Sequence, residues 1–138
     1  MIRNLYGMSE PPWRKYEAAA QAVLESVGTH FGISTVEGKQ SLSGKSGTTW
    51  EIDAKALLAN GQGFLVVEVR RHTTKALSQE SLGALAFRIG DVGASGGVVV
   101  SPLPLQSGAA IVAMSEGIEH LRLTQDSTAT DYLAEYMG

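Results

Sequence analysis

A chain of 138 residues, 43% of them apolar and with a net charge of −3, is sized for one domain with a substantial core, and no apolar run is long enough to cross a bilayer. Its lack of cysteine excludes disulfide frameworks, thiolate zinc sites and cysteine nucleophiles, and His30, His72 and His120 are too scattered to form a metal cluster. The start has no basic stretch leading into an apolar one, so a single soluble, cytoplasmic domain over 1–138 is expected.

In chain order, Pro11-Pro12 followed by Trp13, Tyr16, Ala20, Val23, Leu24 and Val27 at helical spacing predicts a helix from about residue 11 to 27, closed by Gly28. Phe31–Val36 reads as a short strand. The turn Gly44-Lys45-Ser46-Gly47 leads into a strand over Thr49–Ala54, which suggests a hairpin. Asn60-Gly61-Gln62-Gly63 is a second turn, before a Val-rich strand over Phe64–Arg70 whose composition fits burial on both faces. A helix from about Thr74 to Ile89 puts Leu82, Leu85, Ala86 and Ile89 on one face. A strand at Val98-Val99-Val100 follows, then a helix over Ala109–Glu116 ended by Gly117, a strand over Ile118–Leu123, and a terminal helix over Asp126–Met137. The order α-β-β-β-α-β-α-β predicts an α/β fold with a mixed central sheet flanked by helices: an antiparallel meander, then parallel neighbours joined by helical crossovers.

Two of these strands carry acids where apolar residues would be expected. Alternation puts Phe64, Val66, Glu68 and Arg70 on one face of the later strand, and Asp53 converges with Glu68 if the two strands are neighbours. Two carboxylates at one sheet edge make a hard-oxygen site suited to Mg²⁺ or Mn²⁺. The plain alternative for Glu68 is a structural ion pair with Arg70 or Arg71, and Asp53 would then simply end its strand. Trp50 and Trp13 read as core or interface anchors.

Charge is unevenly distributed. Residues 38–75 carry six Lys or Arg against three acids, whereas 76–138 carry two against seven. The acid-bearing strands therefore lie in the basic part, where Lys45, Arg71 and Lys75 are candidates for phosphate contacts.

The order of elements and the positions of the acids together resemble the restriction-endonuclease-like superfamily, PD-(D/E)xK, in its Mrr-like branch. Glu17 in Tyr16-Glu17-Ala18-Ala19-Ala20 matches the family's helix-borne Glu. Glu51-Ile52-Asp53 after the glycine turn matches the metal-binding Asp, and Glu68-Val69-Arg70 matches the Glu-x-Lys segment, with arginine in place of lysine. Ile89-Gly90-Asp91-Val92-Gly93-Ala94, Ser107-Gly108-Ala109 and Glu116-Gly117-Ile118 resemble the branch's downstream elements.

The resemblance implies a metal-dependent DNA endonuclease: Mg²⁺ or Mn²⁺ on Asp53 and Glu68, Glu17 holding metal-shell water or a second ion, and Gln79 as a site glutamine. Arg70 is the departure, since guanidinium stays charged and cannot serve as a base, although it can stabilise charge growing on a phosphate. Lys45, Lys55 and Lys75 are candidates to supply the missing lysine. The alternative is a nuclease fold with impaired chemistry that binds nucleic acid or protein. With no recognition domain evident, sequence specificity would come from a homodimer or a partner subunit.

Overall fold

A computed structural model describes residues 12–71 and 74–124, with side chains from Lys15 onward except Val27. The helix expected over 126–137, His72 and the side chain of Trp13 lie outside the described residues.

Helix α1 (Pro12–Val27) runs into a short 3-10 turn (Gly28–Phe31) and strand β1 (Ile33–Glu37). Four more strands follow before the next helix: β2 (Gln40–Ser43), β3 (Thr49–Ile52), β4 (Ala54–Leu58) and β5 (Phe64–Val69). Helix α2 (Gln79–Asp91), β6 (Gly96–Ser101), α3 (Ser107–Ser115) and β7 (Ile118–Arg122) complete the order. The main sheet has the order β1-β4-β5-β6-β7, antiparallel as far as β5 and parallel through β6 and β7. This is the expected mixed α/β architecture.

Two strands, β2 and β4, were not anticipated, and a bend at one residue accounts for the second. The backbone bends at Asp53, so the strand expected over Thr49–Ala54 ends at Ile52, and β4 begins at Ala54. Its first part pairs with polar β2 in a separate two-stranded ribbon; β4 joins the main sheet between β1 and β5. The hairpin around residues 44–48 therefore joins β2 to β3, and the strand at 33–37 pairs with β4 instead. The bend also divides the core: Ile52 packs toward α2 and α3, and Ala54 toward α1.

Helix α2 begins at Gln79, five residues later than expected, because Ser78 caps it; the Ser78 hydroxyl accepts from the Ser81 amide at 3.2 Å. Its apolar face, Leu82, Leu85 and Ile89, packs with Val66 and Val99, while Tyr16, Ala20, Val23 and Leu24 of α1 pack with Val67, Val98 and Val100 on the opposite face. Full burial of each of these valines contributes roughly 1.5–3 kcal/mol. With apolar layers on both faces, β5 places its last residues at a fixed position between the two helices.

Candidate functional site

At the C-terminal end of β5, alternation turns Glu68 toward the α2 face, where it is 8% exposed. Two guanidinium groups meet the same carboxylate oxygen: Arg70 Nη2 donates to Glu68 Oε1 at 2.7 Å and Arg88 Nη1 at 3.1 Å. Arg70 lies just past the strand and is held there by its own amide, which donates to Val100 O at 2.8 Å. Arg88 comes from α2, and its side chain is 16% exposed. Its guanidinium carbon lies 5.1 Å from the centroid of the Trp50 ring, within cation-π range.

Trp50 is fixed in turn. Its Nε1 donates to Asp91 Oδ2 at 2.8 Å, and its ring meets Phe87 edge-on at 6.2 Å. Asp91, the last residue of α2, also accepts from the Ser46 amide at 2.8 Å and the Ser46 hydroxyl at 2.7 Å, and its carbonyl accepts from the Lys45 amide. These bonds, that from Trp50 foremost and then those from Ser46, hold the Asp91 carboxyl below the usual carboxylate range. Gly44 is required here, because a Cβ at that position would lie 2.0 Å from Asp91 Oδ2.

Asp53 sits at the bend where β3 and β4 part. Its Oδ2 accepts from the Val69 amide at 2.7 Å, which anchors it beside the peptide unit that joins Glu68 to Val69. The carboxylate opens toward α1, into a cavity of about 180 Å³ shared with Glu17, Lys39 and Val69. Glu17 faces Lys39 Nζ at 3.4 Å.

The expected basic residues do not all meet. Arg70 and Lys75 line a second cavity of about 360 Å³ with Ser78 and Ser81, at the N-terminal end of α2. Lys45 lies in the hairpin turn bound to Asp91, at the other end of the helix, about 18 Å away along the axis. Gln79 rests against Gly108 at the start of α3, and Lys55 Nζ lies 4.5 Å from the centroid of the Phe64 ring. Arg71 is half-buried beside Arg70.

As arranged, this donor set does not fit a divalent ion at Glu68. The carboxylates are hard-oxygen donors of the right kind, but the Glu68 oxygen already carries two cationic groups, and Glu17 faces a lysine. Among the described residues no three His, Cys, Asp or Glu side chains are grouped as a metal would need.

Sequence reasoning named Glu68, Arg70 and their pairing but missed Arg88. The signal was present: Arg88 is the one Lys or Arg between Lys75 and Arg122, on the border of the apolar stripe of α2, and a buried acid requires a partner.

Fold and site together define an α/β domain with a mixed sheet and a charge cluster at the end of its central strand. No family model and no curated protein matches the sequence. Solved structures do share the fold. A protein of unknown function, AF1548, is similar with a TM-score of 0.65 and 16% identity over 88% of this chain and 66% of its own. Can2 from Sulfobacillus thermosulfidooxidans, solved in complex with cyclic tetra-adenylate, gives 0.60 and 21% over 89% of this chain and 35% of its own. Protein VC1899 from Vibrio cholerae gives 0.56 and 17% over 90% and 32%. The chain thus spans about two thirds of the first and about one third of the other two. No helix among the described residues is long and apolar enough to cross a membrane.

Proposed function

We propose that this domain binds the phosphate backbone of nucleic acid through the basic cavity at the end of β5, and that Arg70 and Lys75 make the contacts. The observation that carries this reading is the charge balance of the cluster: two guanidinium groups on one buried carboxylate leave a net positive centre. Arg70 spends one nitrogen on Glu68 at 2.7 Å, and its remaining donors serve the cavity it shares with Lys75 and the hydroxyls of Ser78 and Ser81. The cavity lies at the C-terminal edge of parallel strands, where open α/β sheets commonly take ligands. A protein of this fold solved with cyclic tetra-adenylate, a ring of nucleotides joined by phosphodiesters, supports a ligand of that class.

Fluorescence anisotropy with labelled single-stranded and duplex DNA in EDTA tests the reading. Binding in the range of about 10⁻⁴–10⁻⁶ M at physiological salt is expected. It should weaken several-fold in Arg70→Ala and in Lys75→Ala. Equal affinity in all three proteins would overturn it.

A second reading, a Mg²⁺- or Mn²⁺-dependent DNA endonuclease, draws support from Glu17 and Asp53 sharing one cavity beside the Glu68–Val69 peptide. The expected convergence of Asp53 with Glu68 is not found, since Glu68 turns toward α2 and Asp53 toward α1, so this reading requires Glu68 to leave Arg88 and swing round the end of β5 to meet Asp53. Incubation of plasmid and single-stranded DNA with either metal, comparing wild type with Asp53→Asn, tests it; cleavage that Asp53→Asn abolishes would establish hydrolysis, with a homodimer or partner subunit left to supply specificity.

A further inference from the structure

We infer that Arg88 and Arg70 together take the place of a divalent cation at Glu68, so that this carboxylate positions a guanidinium for phosphate and is closed to metal. The inference deepens the phosphate-binding reading and rests on it. Glu68 is thereby a positioning residue, acting through Arg70, and Arg88 is the group that fixes its orientation from the α2 side.

Three observations carry it. First, both guanidinium groups address the same oxygen, Oε1, at 2.7 and 3.1 Å, from opposite elements: Arg70 from the end of β5 and Arg88 from α2. A cation brought to that oxygen would meet two like charges within contact distance, in surroundings screened by burial from water.

Second, Arg88 is not a loose surface partner. Its side chain is 16% exposed, it stacks on Trp50, and Trp50 is bonded to Asp91, which Ser46 holds with two further bonds. The β2–β3 ribbon and the C-terminal end of α2 are thus joined into a mount for one guanidinium.

Third, Arg88 Nε is buried without a hydrogen-bond partner among the described residues. An unsatisfied buried donor is unfavourable, and an apolar side chain of similar volume would avoid it. The charge is therefore what arginine brings to this position that such a side chain would not.

The test is a Mn²⁺ titration of the full chain read by electron paramagnetic resonance, independent of any DNA measurement. Wild type and Glu68→Gln should take up Mn²⁺ equally, with no component that depends on Glu68. Arg88→Met should bind Mn²⁺ at least tenfold more tightly, and the double variant Arg88→Met/Glu68→Gln should lose that gain. Arg88→Gln, which keeps a neutral donor toward Glu68, provides a second route should the Met variant fail to fold, as judged by the near-ultraviolet signal of Trp50.

Wild-type uptake that Glu68→Gln removes would overturn the inference. So would folded Arg88 variants that gain nothing, or the failure of both to fold, since Arg88 would then serve the fold alone. Loss of DNA binding in EDTA bears separately on the phosphate reading, so the two failures are distinguishable.

Discussion

Replacing Glu68 by Gln removes one charge from a cluster of three and tests the account of this centre directly. Arg88, with its side chain 16% exposed, is left without a counter-charge, whereas Arg70, at 42%, can relax toward water. Breaking a buried pair by removing one partner costs about 3–5 kcal/mol. The glutamine carbonyl keeps a neutral hydrogen bond to one guanidinium, which returns about 1 kcal/mol. The exposed Arg70 contact adds no more than about 1 kcal/mol. The expected loss is therefore about 2–5 kcal/mol, or roughly 7–17 °C in Tm for a domain of this size. Urea unfolding followed by tryptophan fluorescence, repeated in Arg88→Met and in the double variant, gives the coupling. The two single losses should fall short of additivity by more than about 1 kcal/mol, because the double variant leaves no buried charge unpaired. A loss below about 0.5 kcal/mol in Glu68→Gln, or strictly additive single losses, would refute the reasoning.

Other expectations follow from the same network. Asp91→Asn should cost about 1–3 kcal/mol in urea unfolding, since whichever way the amide turns, its NH₂ faces a donor from Ser46 or Trp50. The Asp91 carboxyl is held below its ordinary value, so its contribution is complete above the unfolded value of about 3.9 and is lost as pH falls through the lowered folded one. The amide resonance of Ser46 in the folded protein should accordingly hold its position from pH 7 down to about pH 4 and move only in stronger acid. Burial, and then Arg122, push His120 below its ordinary value, so the unfolded chain binds the extra proton and stability should decline as pH falls below about 6.5; His120→Gln should flatten that slope. Gly44→Ala should destabilise by roughly 1–3 kcal/mol, as the added methyl displaces the Asp91 carboxylate. The salt dependence of DNA affinity should become shallower by about one unit of log–log slope in Lys75→Ala, the signature of one lost phosphate contact.

Much of the architecture was legible because burial on two sides imprints itself on composition. The Val-rich runs at 64–69 and 96–101 gave away the central strands, and the three- and four-residue spacing of Leu82, Leu85 and Ile89 gave away the helix between them. The ribbon was hidden because Gln40-Ser41-Leu42-Ser43 is polar and covers no large face, so its pairing with β3 leaves a weak alternation. The bend at Asp53 was hidden for a different reason. A single acid between two buried residues reads as one strand passing through, and only tertiary contact shows that Ile52 and Ala54 belong to opposite core layers. The pairing of Glu68 with Arg70 was local, two residues apart across the end of one strand, and therefore accessible to sequence; its pairing with Arg88 spans twenty residues and a crossover.

The arginine at position 70 looks like damage only if the centre is assumed to need a titratable amine. Lysine is a compact point charge that changes its protonation when buried, which suits proton transfer near an activated water. Guanidinium has five donors in a fixed plane, so one edge can hold Glu68 while another faces a phosphate. That division of labour works only if Glu68 is itself immobile, and immobility is what a second guanidinium on the same oxygen supplies. On the phosphate-binding reading, arginine at 70 and arginine at 88 are therefore coupled: the second keeps the carboxylate in place, and the first would use that carboxylate as a rest from which to present its free donors. Lysine at 70 beside arginine at 88 would have fewer donors left for phosphate, with no fixed plane to aim them, and still no metal-ready acid for chemistry. A change at either position alone should therefore impair the centre more than the paired change alters the fold around it.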